Sequence, residues 1–198
     1  MNHLATIDRD IENKISHEET VRKVYLSYPT FAFVGKEDLK YEIFDEISNF
    51  FKVPFTSIQA TGSGQIGRSL HKKRDFQDKK SDLDIAIIDS SLFIEYMEIV
   101  SKETNGYREV DKFPRDTEQG GAVKDKYLSY LSKGIFRPDL MPNCTKRAEI
   151  RSFFGKLSTK HSSLFKSIDA GIYLSECFFE KKQRTAIELH VKNKETTI

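Results

Sequence analysis

The 198-residue chain has no tryptophan, two cysteines, five prolines and no excess of either charge. Cys144 and Cys177 are too few for a disulfide framework and lack the paired spacing of a zinc site, which predicts a reducing, cytoplasmic setting. Apolar runs such as Phe31–Val34 and Ile85–Ile88 fall far short of the ~20 residues that span a bilayer. The first residues, MNHLATIDRDIENK, carry charges where a signal peptide has an apolar stretch, so no secretion and no membrane association is expected. With 32 basic and 30 acidic residues the net charge is +2, which excludes a polycation; any attraction to nucleic acid must come from a local patch. There is no internal repeat and no low-complexity tract.

What is present is a core. Fifteen phenylalanines and eight tyrosines in a chain of one-domain length argue against disorder. Residues 7–26 read as a polar helix with sparse apolar positions, broken at Ser27-Tyr28-Pro29. Leu39, Ile43, Ile47 and Phe50 recur at helical spacing and predict an amphipathic helix over 37–51. Strands are predicted at 57–61, 83–88 and 168–174, and helices at 65–70, 91–102, 123–133, 144–160 and 176–192. Residues 104–121 have no period and read as a mobile loop, and Ile135–Pro142 as a shaped one. The phenylalanines between 31 and 55 are assigned to the core. Lys146, Arg147, Arg151 and Lys156 are read as the solvated face of their helix, and His17, His161 and His190 as structural or exposed.

The informative stretch is Thr61-Gly-Ser-Gly-Gln-Ile-Gly67, followed by Ser81-Asp-Leu-Asp-Ile-Ala-Ile-Ile88. Residues two apart in a strand share a face, so Asp82 and Asp84 point the same way, roughly 6.5 Å apart. Two carboxylates side by side repel unless a cation lies between them. Mg²⁺ suits such a pair, since it takes one or two carboxylates together with phosphate oxygens, and two such ions clamp an in-line phosphoryl displacement. Gly62-Ser63-Gly64 ends the preceding strand and opens a short helix. There glycine lets backbone N–H groups approach an anion, and the Ser63 hydroxyl adds a donor.

These residues resemble the signature of the DNA polymerase β-like nucleotidyltransferase superfamily: Gly-Ser at 62–63, Gly67, and Asp-x-Asp at 82–84 on an apolar strand. The resemblance covers residues 39–90 well and the rest loosely. It implies an α+β fold, a mixed sheet flanked by helices, over residues 36–198, with 1–35 as an N-terminal helical extension. It also implies transfer of a nucleoside monophosphate from an NTP, ATP among them, to an acceptor hydroxyl. The triphosphate would rest on Gly62, Ser63, Gly64, Gln65 and Gly67, and Asp82 and Asp84 would bind two Mg²⁺. A third carboxylate on a neighbouring strand completes such sites; Asp169 is the choice here, with Glu176 and Asp139 as rivals. Stand-alone bacterial relatives often belong to toxin–antitoxin or phage-defence systems. The acceptor stays open between an RNA or tRNA end, a protein and a small molecule. A catalytically degenerate module that binds nucleotide or a partner protein is the alternative.

One departure from the signature is an insert. Gly62 and Asp82 are 20 residues apart where a dozen is usual, and residues 68–80 hold six Lys/Arg against two Asp. Lys72, Lys73 and Arg74, with Arg137 farther on, are therefore candidate contacts to phosphate or acceptor.

Overall fold

The computed structural model describes residues 2–115 and 123–195. The fold is α+β, with a mixed four-stranded sheet flanked by helices. In chain order the elements are α1 (His3–Glu12), α2 (His17–Val21), a π-helical turn (Arg22–Ser27), α3 (Glu37–Phe51), β1 (Ile58–Thr61) and α4 (Gly62–Ile66). A two-stranded hairpin follows, β2 (Arg68–Ser69) and β3 (Arg74–Asp75), then β4 (Leu83–Ile88) and α5 (Ser90–Glu103). The last part comprises α6 (Lys124–Leu131), β5 (Ile135–Phe136), α7 (Thr145–Lys160), β6 (Ile168–Tyr173) and α8 (Glu176–Glu195).

The strand order is β1-β4-β6-β5, with β4 parallel to β6 and both outer pairings antiparallel. The period-2 pattern of β4 and β6 divides the residues between two faces. Leu83, Ile85 and Ile87 join Ile168 and Ile172 on one face. They are packed by Ile43, Phe44, Ile47 and Phe51 of α3, by α5, and by Ile150, Phe154 and Leu157 of α7. On the other face, Ala86 and Tyr173 are covered by Tyr25 of the π-helical turn and by Phe179 and Ile187 of α8. That second layer stops short of the strands' N-terminal ends, where the same face carries Asp84 and Asp169.

The first 35 residues supply part of this second layer. Val21, Val24 and Tyr25 are buried against α8 and the sheet. Ion pairs tie the segment to α8: Arg22–Glu180 at 2.7 Å, Arg184–Glu18 at 2.7 Å and Lys194–Asp8 at 2.7 Å. The expected continuous helix over 7–26 is broken. Lys14 is left-handed (φ 56°), and the Ser16 hydroxyl accepts the Glu19 N–H to restart a helix. Ser16-His-Glu-Glu19 is the capping-box pattern that marks this restart in the sequence.

Three further expectations are corrected. The described part of the 104–121 segment is packed, because Phe113 is buried against Tyr127 with ring centroids 5.6 Å apart and Thr104 is buried; residues 116–122 lie outside the described residues. Phe31 and Phe55 are exposed at 41% and 40%, while Phe33, Phe44 and Phe51 are core. The helix expected at 65–70 starts at Gly62, and the chain after Gly67 turns into the β2–β3 hairpin.

Candidate active site

Two strand registers build the site. Asp84 of β4 is the antiparallel partner of Thr61 in β1 and the parallel partner of Asp169 in β6. At a strand spacing of about 4.8 Å, Asp84 and Asp169 are direct neighbours on one face. Asp82 precedes the strand. The Ser167 hydroxyl lies 3.0 Å from Asp82 Oδ1 and 3.1 Å from Asp169 Oδ2. A hydroxyl has one proton to donate, so it serves two carboxylates in turn.

The electrostatics follow from this crowding. Asp84 stays accessible from the cleft but is closely walled by protein. Burial pushes its carboxyl above the ordinary carboxylate range, and the charges of Asp82 and Asp169 push it further, with Arg137 and Lys72 opposing. Burial likewise raises Asp169; the Ser167 hydroxyl pulls it back, while Asp139 and Asp82 add to the rise.

The Gly62 turn presses directly on these acids. Gly62 has φ +57°, and a Cβ there would stand 2.7 Å from Asp84 Oδ2. Glycine is required twice over, for its left-handed backbone and for the space. Ser63 follows in the first turn of α4. Gly64 is buried, and a Cβ there would meet the Leu83 Cδ1 methyl at 3.0 Å, a tight fit. Gln65 turns inward: it is 1% exposed, and its Nε2 donates to the Val24 carbonyl at 2.8 Å and the Tyr28 carbonyl at 3.3 Å. Gly67 closes α4 in a left-handed cap against the Phe31 ring, which is also a structural role.

A cleft of about 800 Å³ opens over Asp84 and Asp169, large enough for a nucleotide and a second ligand. Thr61, Gly62 and the start of the β2–β3 hairpin form one wall; Arg137, Asp139, Arg147 and Arg151 form another. Arg137 makes a bidentate pair with Asp139, both contacts at 2.7 Å, and its guanidinium lies 5.2 Å over the Tyr130 ring. Asp139 thus stands near the site as the partner of Arg137. Glu176, the other rival third carboxylate, does not line the cleft.

Of the basic candidates, Arg137 lines the cleft, whereas Lys73 and Arg74 do not; Lys72 acts on Asp84 through its charge. The insert that carries them is a closed hairpin, stapled by Arg68–Asp75 at 2.6 Å. Arg147 and Arg151, assigned from sequence to a solvated face, line the cleft instead. Their spacing of four residues marks a shared helix face, but nothing in the sequence shows which way that face turns.

A different group, Glu42, Glu46 and His161, places its potential ligand atoms within 4.8 Å of one another. The Lys160 ammonium sits on both glutamates, at 2.6 Å from Glu46, so the chain itself supplies their counter-charge. No described helix is long and apolar enough to cross a membrane. No family model, no curated protein and no solved structure matches this chain.

Proposed function

We propose that the cleft is the active site of a metal-dependent nucleotidyltransferase with the polymerase β-like fold, moving a nucleoside monophosphate from an NTP to an acceptor hydroxyl. The observation that carries this reading is the register that sets Asp84 beside Asp169, with the side-chain-free Gly62 turn against Asp84. The residues suit Mg²⁺: Asp82, Asp84 and Asp169 offer oxygen donors only, and Asp84 and Asp169 are direct neighbours across the strand pair. Bound there, magnesium would neutralise the phosphate oxygens and the departing pyrophosphate.

The chain's own groups supply the rest. Backbone N–H groups at Gly62 and Ser63, with the Ser63 hydroxyl, hold the phosphate tail. The acceptor oxygen forms a bond to the α-phosphorus as the bond from that phosphorus to the α–β bridging oxygen breaks. Pyrophosphate leaves with the electron pair, and the hydroxyl proton passes to the Asp169 carboxylate. The α4 cap at Gly67 and the Gln65 amide keep the turn in place. Incubation with each α-labelled NTP, Mg²⁺ and total RNA or cell lysate tests this. Label in RNA, protein or a small product supports transfer and identifies the acceptor class; binding without transfer indicates a degenerate nucleotide-binding module.

A further inference from the structure

The cleft carries positive charge on the side away from the Gly62 turn. Sheet order sets β1 and that turn at one edge, Asp84 and Asp169 on the two middle strands, and β5 at the other edge. Three strand spacings put roughly 14 Å between the edges. On the β5 side, Arg137 leaves the strand, and α7 brings Arg147 and Arg151 into the cleft. Four residues apart on one helix face, two arginines repel each other. Neither has a carboxylate partner among the described residues, whereas Lys146 on the same helix is paired with Glu149 at 3.1 Å. Arg147 is instead fixed through uncharged acceptors: it donates to Asn143 Oδ1 and, at 3.0 Å, to the Asp139 carbonyl. Its guanidinium is held in position with its charge unspent.

An in-line displacement brings the acceptor in from the side opposite the leaving pyrophosphate. With the donor's phosphates on the Gly62 side, the acceptor enters from the β6–β5 side, over Arg147 and Arg151. We infer that this arginine wall binds a phosphate of the acceptor, which is therefore itself a phosphorylated molecule, a nucleotide or a nucleic-acid end, rather than a neutral compound or a protein side chain. The inference rests on the nucleotidyltransferase reading. Planar guanidinium forks match phosphate oxygens in pairs. A neutral acceptor leaves two facing positive charges without compensation. The acceptor's own phosphate takes no part in bond breaking; it sets where the hydroxyl stands relative to Asp169.

The test is equilibrium binding to the full chain saturated with an α,β-methylene NTP and Mg²⁺. The probes are the four ribonucleoside 5′-monophosphates, the matching nucleosides and a single-stranded RNA hexamer. A phosphate-bearing probe is expected to bind the loaded protein at least tenfold more tightly than the nucleosides. Arg147→Gln with Arg151→Gln should weaken it tenfold or more. Arg151→Gln alone, at an exposed position with no partner to orphan, should give a partial loss in a folded protein. Binding of a monophosphate identifies a mononucleotide acceptor; binding of the hexamer alone identifies a nucleic-acid end. Nucleosides binding as tightly as monophosphates, failure of every phosphate-bearing probe, or mere displacement of the analogue overturns the inference while leaving the nucleotidyltransferase reading intact. Failure of the analogue itself to bind overturns both.

Discussion

Gly62 is the residue on which the site's geometry depends most sharply. Gly62→Ala adds a methyl 2.7 Å from Asp84 Oδ2 at a backbone φ of +57°. The left-handed conformation alone costs about 1–2 kcal/mol for a residue with a Cβ. The variant should therefore melt several degrees lower and lose NTP affinity, whereas Ser63→Ala removes one hydrogen bond worth roughly 0.5–1.5 kcal/mol. Thermal melts with analogue titrations check both; equal and negligible effects would remove the turn from phosphate binding. Asp84 supplies a second test. Its folded pKa lies above the ordinary carboxylate value of 3.8, so the folded state holds the proton more tightly than the unfolded chain. The penalty of holding this crowded, partly desolvated charge is present in full above the folded pKa. It is relieved as pH falls through that value and changes no further below about 3.8. Without metal, Asp84→Asn should be more stable than the parent at neutral pH, and the gap should close on acidification through that window. A gap that is constant with pH would mean that the carboxylate is not strained.

At the scale of elements, the α4–turn unit is anchored from behind. Gln65 satisfies the Val24 and Tyr28 carbonyls, so Gln65→Ala should cost roughly 1–3 kcal/mol in stability by denaturant melts and change analogue affinity by less than about twofold. A large selective loss of binding would return Gln65 to the site. The elements that carry the proposed site were legible in the sequence because their signals are local. Alternation sets Asp84 opposite Leu83 and Ile85 in β4, and Asp169 opposite Ile168 and Ala170 in β6, and the β4–β6 pairing register then brings the two acids together on one face. Motif position alone does not reveal which way the Gln65 side chain points. In α4 the side chain after Gly64 turns inward to a segment 37 and 41 residues earlier in the chain. Arg147 and Arg151 were missed for the same reason, since the charged face of α7 is solvated or site-facing according to what stands opposite. The two-residue β5 is too short to leave any period.

At the scale of the whole molecule, a net charge of +2 conceals segregation: acids on the middle strands, arginines on one wall, and a hairpin whose start lines the cleft while Lys73 and Arg74 lie off it. For single-stranded RNA, each phosphate contact contributes about −0.7 to the slope of log affinity against log salt. Because Lys73 and Arg74 lie off the cleft, replacing Lys72, Lys73 and Arg74 with Gln should flatten that slope by about 0.7, one contact. A loss of about two units would show that the hairpin forms part of the binding track. If Asp82, Asp84 and Asp169 form a metal site for a nucleoside triphosphate, calorimetric titration with an α,β-methylene NTP, with and without Mg²⁺, shows it most directly. Tight binding that requires Mg²⁺, and that falls by about a hundredfold in Asp82→Asn with Asp84→Asn while the melting temperature holds or rises, is the predicted result; binding that is indifferent to Mg²⁺ or equal in the double variant would contradict it.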